Sequence, residues 1–113
     1  MNKNIKTKWL EALRSGEYQQ AQRNLKRGDS LCCLGVLCDI HAKETNNTWK
    51  PHSIGNRSDY SYIGKYGELP NEVIVWAGLN NSEPIVGDTT LIKLNDNLYY
   101  SFNQIADEIE KHL

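Results

Sequence analysis

Ser30-Leu-Cys-Cys-Leu-Gly-Val-Leu-Cys-Asp-Ile-His-Ala42 is the most apolar window of the chain and holds all three of its cysteines. Placed on a helix at about 100° per residue, Cys33, Leu34, Val36, Leu37 and Ile40 share an arc of about 160°, with Gly35 and Asp39 opposite. A stripe that wide marks the inward face of a core helix. Gly35 lowers helix propensity but lets a neighbouring segment approach closely. The rest of the chain is expected to pack around this element.

Working outward, residues 5–14 have helical spacing: Ile5, Trp9, Leu10, Ala12 and Leu13 share one side. Thr7 is a candidate N-cap, although the helix can begin earlier, and Ser15-Gly16 supplies a stop. Residues 17–31 do not settle a period and read as an extended or hairpin-like connection, with Arg27-Gly28-Asp29 as a tight turn. Residues 43–68 show Gly, Asn and Ser breaks, Pro51 and a density of aromatics (Trp49, Tyr60, Tyr62 and Tyr66). A stretch that long without a pattern is expected to be a functional loop or to hide short strands, Tyr60–Ile63 among them. Leu69-Pro70 opens a helix ended by Gly78, with Pro70 expected at its first position. Residues 80–88 read as a loop and 89–95 as a short helix. The last helix is the clearest: Ser101 with Gln104 spells a capping box, and Phe102, Ile105, Ala106, Ile109 and Leu113 share a face.

These elements predict one α+β domain over residues 1–113, helix-rich, with a minor antiparallel sheet and a long aromatic loop. At 113 residues such a chain hides about two-thirds of its unfolded surface, enough for a single core. No apolar run is long enough to cross a membrane, and the basic start leads into an amphipathic stretch unlike a secretory signal. Three cysteines, two of them adjacent, make no disulfide framework and favour a reducing compartment. Asn46, Asn56 and Asn80 head Asn-x-Ser/Thr triplets of the sort an Asn-rich chain produces by chance. The net charge of −1 hides an asymmetry. Residues 1–27 carry seven basic and two acidic groups, and the acidic excess lies in the remainder. That basic end can serve an anionic ligand, or pair with the acidic end of the same or another copy.

Trp9-x-x-Ala12-Leu13-Arg14-Ser15-Gly16-x-Tyr18-x-Gln20, Cys32-Cys33-Leu34-Gly35-Val36-Leu37-Cys38-Asp39, Leu69-Pro70 with Val73 and Trp76-Ala77-Gly78-Leu79, and finally Leu94-Asn95-Asp96 with Ser101-Phe102 run in order through nearly the whole chain. In these blocks the sequence resembles a family of short proteins of tailed phages and prophages. It departs at Asn97-Leu-Tyr-Tyr100, where the family pattern has a glycine-containing turn. The resemblance implies an accessory protein working in the cytoplasm of an infected or lysogenic bacterium. Such proteins are often inhibitors, adaptors or scavengers acting on host machinery. The resemblance gives origin rather than mechanism.

The residues permit few chemistries. Cys32, Cys33, Cys38 and His41 point in four directions around a helix and form no Cys-x-x-Cys knuckle, so no metal or cofactor is expected. Cys33 lies centrally on the apolar face, where a thiol is small hydrophobic filler. Asp107, Glu108 and Glu110 line the outward side of the last helix, and no phosphate loop is present, so no enzymatic activity is expected. Flat aromatics among cations can instead stack a base and hold a phosphate. Trp49, Arg57, Tyr60, Tyr62 and Lys65 are the candidates, with Arg14, Tyr18 and Gln20 as an opposite wall. The competing reading has this loop covering the core with its hydroxyls outward. A pI near 6.3 argues against a strong nucleic-acid footprint. The expectation is therefore a non-catalytic phage accessory protein that antagonises a host defence pathway by sequestering a nucleotide-like signalling molecule, in a pocket shared between copies of a homo-oligomer. The alternative is a host-protein-binding inhibitor or adaptor without a small ligand.

Overall fold

The computed structural model describes residues 1–54 and 57–113, with side chains described for residues 1–52 and 58–113. The chain folds as α1 (Lys3–Arg14), β1 (Gln19–Gln20), β2 (Lys26–Arg27), β3 (Ser30–Leu31), α2 (Cys33–Thr45), β4 (Lys50–Ile54), β5 (Arg57–Ser61), α3 (Asn71–Ala77), β6 (Ile85–Val86), β7 (Thr89–Thr90), α4 (Leu91–Asp96) and α5 (Phe102–His112). This is the expected α+β architecture.

The cysteine segment divides between two elements. Ser30 and Leu31 form β3 between β1 (parallel) and β2 (antiparallel), so their backbone groups are paired sideways before the helix begins. The Cys32 sulfur then accepts from the Gly35 N–H at 3.4 Å and caps α2. Residues Cys33 to Cys38 are all buried, so the helix is enclosed rather than one-faced. Gly35, opposite the apolar arc, takes the close approach expected of it and is pressed against the Leu25 carbonyl: a Cβ there would stand 1.8 Å from that oxygen. The Trp9 indole is fully buried and donates to the Cys33 carbonyl at 3.0 Å, tying α1 to the start of α2.

The flanking helices pack on this centre, α1 against α5 and α2, and α2 against α4 and α3. Helix α1 begins at Asn2, whose side chain accepts from the Ile5 N–H, while Thr7 donates to the Lys3 carbonyl inside the helix and caps nothing. Pro70 stands just outside α3 as its N-cap instead of at the first helical position. At the other end of α3 the Leu79 N–H bonds the Ile74 carbonyl, closing a Schellman stop. The Ser101–Gln104 capping box of α5 is complete.

The aromatic segment is not one long loop. Residues 43–45 extend α2, and β4 and β5 pair antiparallel from Lys50↔Ser61 to Ile54↔Arg57. These strands contain few β-branched residues, and Pro51 sits on the sheet edge where its missing N–H is harmless, which is why the sequence pattern was weak. The sheet order is β1-β3-β2-β5-β4, and β6, in the expected 80–88 loop, pairs with β7, which takes the first two residues of the expected 89–95 helix, so that α4 starts at Leu91.

Candidate functional site

The residues expected to bind ligand do not converge. Arg14 lies on α1 against α5, where it pairs with Asp107 at 2.8 Å and Glu110 at 3.4 Å. Lys6 donates to the Glu110 carbonyl, and Lys8 pairs with Glu44. The basic end is thus engaged by the acidic end within one copy. Tyr62 is 0 % exposed, and its hydroxyl meets the His41 ring beneath Trp76, so it cannot stack a ligand. Burial pushes the Tyr62 phenol up to about 12. Lys65 pairs with Glu68. Arg57 and Asn56 lie outside the described residues, save for the Arg57 backbone in β5.

Tyr18, Trp49 and Tyr60 gather into a self-satisfied cluster. Tyr18 donates to Asp39 at 2.6 Å, the Trp49 indole donates to the other Asp39 oxygen at 3.2 Å, and Lys43 lies 3.1 Å from the same carboxylate. Burial alone pushes the Asp39 carboxyl up, but these three donors outweigh it and hold the group below the ordinary carboxylate value. The Lys26 ammonium stands 4.6 Å from the Tyr60 ring centre and 5.5 Å from that of Trp49. The donors and the cation of this patch already have partners.

Gln20 belongs to a different place. It lines an open cleft of about 580 Å³ with Ala21, Gln22, Arg23, Arg27, Ser30 and Tyr99. Asn95, near the end of α4 and 0 % exposed, does not line the cleft but bonds two residues that do, Gln20 and Ala21. Its carbonyl oxygen accepts from Gln20 Nε2 and the Cys33 N–H, and its amide donates to the Ala21 carbonyl and Asp96, so every bonding position is filled. Gln20 also donates to the Tyr100 carbonyl at 2.8 Å. Asp96 in turn accepts from the Arg23 N–H at 2.9 Å, and Arg23 holds a left-handed φ of 74°. Tyr99, at φ 53° and 68 % exposed, is left-handed as well. Left-handed backbone at such side chains persists only where surrounding structure dictates it, and it gathers at functional sites.

Arg23 and Arg27 give the cleft its chemistry. Arg27 is held by β2 with its ε-nitrogen 3.9 Å from Asp59. Among the described residues the Arg23 guanidinium forms no salt bridge, unlike that of Arg14. Five guanidinium donors on a preorganised backbone suit a phosphate or carboxylate, and an exposed phenol ring suits a flat apolar partner. Sequence reasoning counted Arg23 as part of a basic end and Arg27 as part of that end and of a tight turn, and it did not name Asn95 or Tyr99 as site residues.

Nucleophilic chemistry has little support here. Burial pushes the Cys32 thiol up to about 12, and those of Cys33 and Cys38 well above their ordinary value, so thiolate is scarce. Among the described residues no group of three His, Cys, Asp or Glu side chains is placed to hold a metal, and no helix is long and apolar enough to cross a membrane. A comparison with curated proteins finds no match, and neither does one with solved structures. All of residues 1–113 match one family, described as a domain of unknown function (DUF8296), and the chain belongs to it.

Proposed function

We propose that this protein is a non-catalytic binder that captures a small nucleotide-like anion in the Arg23–Arg27–Tyr99 cleft. The observation that carries the reading is the Arg23 guanidinium, unpaired among the described residues on a backbone fixed by Asp96, beside an exposed aromatic ring. A buried and fully bonded Asn95 keeps that wall in place, so little ordering is needed on binding. The inert thiols favour capture without turnover. The likeness to short phage proteins adds the wider role: withdrawal of a signalling nucleotide from a host defence pathway, in the host cytoplasm. That part rests on the resemblance alone.

Native mass spectrometry of the purified chain with a nucleotide panel tests the reading. An unchanged ligand retained on the protein supports it, a chemically altered ligand would make the protein an enzyme, and no retained ligand removes the cleft as a small-molecule site. The same spectra give the copy number, expected to exceed one if a second copy closes the open side of the cleft. A protein-binding adaptor is the second reading, favoured by the adjacent exposed pair Leu98 and Tyr99, 54 % and 68 % exposed.

A further inference from the structure

Arg23 faces two clefts. Besides the one shared with Arg27 and Tyr99, it borders a second of about 440 Å³, whose other walls include Lys65, Tyr66, Glu68, Glu83 and Asp96. Backbone contacts hold the two together. The Leu25 N–H donates to the Tyr66 carbonyl at 2.6 Å, and Gly67 runs so close to residue 23 that an added Cβ would stand 3.2 Å from the Arg23 carbonyl oxygen. Tyr66 is 49 % exposed and is braced from behind. Its ring centre lies 5.2 Å from that of His52, its hydroxyl is 3.4 Å from His52 Nε2, and the same nitrogen meets the Ser61 hydroxyl at 2.9 Å.

The chemistry of the second cleft differs from that of the first. Lys65 is paired with Glu68, and the Glu83 carboxylate forms no salt bridge among the described residues, so the lining offers hydrogen-bond acceptors beside an aromatic ring. An exocyclic amine on a flat heterocycle fits such a wall, whereas a second phosphate would meet carboxylates. Arg23 is therefore common to two clefts, each with one exposed ring in its wall, Tyr99 in the first and Tyr66 in the second.

We propose that the second cleft is a base subsite, and that the ligand is a dinucleotide with its phosphodiester on Arg23 and its two bases against Tyr99 and Tyr66. This rests on the reading of the first cleft as an anion site. Calorimetric titrations with adenosine monophosphate and with the dinucleoside monophosphate ApA separate the two claims. Wild-type protein is expected to bind ApA about tenfold more tightly than the mononucleotide, the scale of one further base stacked on an aromatic ring. Tyr66→Ala is expected to remove that preference while leaving mononucleotide affinity and the melting temperature unchanged, and Glu83→Gln to reduce it. Equal wild-type affinities, or an ApA preference that survives Tyr66→Ala, would overturn the subsite and leave the anion site standing. Failure of both ligands to bind would remove the anion site and the subsite together.

Discussion

Two polar regions of this molecule use the same residue types to opposite ends. Around Asp39, the donors of Tyr18, Trp49 and Lys43 all end on one carboxylate, and Lys26 is held beside Trp49 and Tyr60. Around Arg23, the carboxylate of Asp96 bonds the backbone N–H and leaves the guanidinium without a salt bridge among the described residues. The first region ties α2 to the segments beside it. The second presents to solvent a cation carried on a held backbone. What separates glue from site is whether bonding capacity remains after folding, and residue identity alone does not report that.

The sharpest way to break this contrast is through Asn95, whose four hydrogen bonds include those that hold the lining residues Gln20 and Ala21. Asn95→Ala strands the buried Cys33 N–H, and is expected to cost about 2–4 kcal/mol in denaturant unfolding together with loss of ligand binding. A loss below about 1 kcal/mol would show that the wall is held by something else. Next comes Arg23→Ala, expected to weaken nucleotide binding about 10- to 100-fold while moving the melting temperature by no more than about 2 °C. Asp39→Asn is expected to do the reverse: a stability loss of about 1 kcal/mol with unchanged affinity. A drop in affinity comparable to that of Arg23→Ala would merge the two regions into one site.

Acid titration sharpens the comparison further. His41 is 4 % exposed, and burial lowers its pKa below the ordinary 6.5 although Glu72 and Glu44 pull the other way. The folded state therefore binds fewer protons than the unfolded one. The contribution of His41 is complete above pH 6.5 and is lost as pH falls below it toward the depressed folded value. Asp39, also depressed, adds a second loss as pH falls through and below its ordinary value of 3.8. Unfolding free energies measured across pH should show both steps, with His41→Gln deleting the upper one and Asp39→Asn the lower. The smallest effect is expected at the exposed Lys8–Glu44 pair, where Lys8→Ala should change stability by less than about 0.5 kcal/mol.

Much of the fold was legible because its signals are local. The Ser101–Gln104 box needs only four residues to declare itself, and the helical period of Trp9 and Leu13 needs two turns. The ribbon of β6 and β7 was hidden because two-residue strands carry no period. Gly35 lies off the apolar arc, and the close approach its missing side chain was expected to allow is there, but that the approaching segment is the one ending at Leu25 is a contact no helical wheel contains. The site was least legible of all. Gln20 meets Asn95 and the Tyr100 carbonyl through bonds across 75 and 80 residues of chain, and Arg23 looked like any other member of a basic end. The aromatic density that drew attention to Trp49 and Tyr60 reflects packing around Lys26 and Asp39.

The most direct test is a residue-resolved NMR titration with adenosine monophosphate, following every backbone amide. The account predicts that the shifts concentrate on Gln22, Arg23, Arg27 and Tyr99 while the amides of Trp49 and Tyr60 stay in place. Shifts centred on Trp49 and Tyr60, or none anywhere at millimolar ligand, would contradict it.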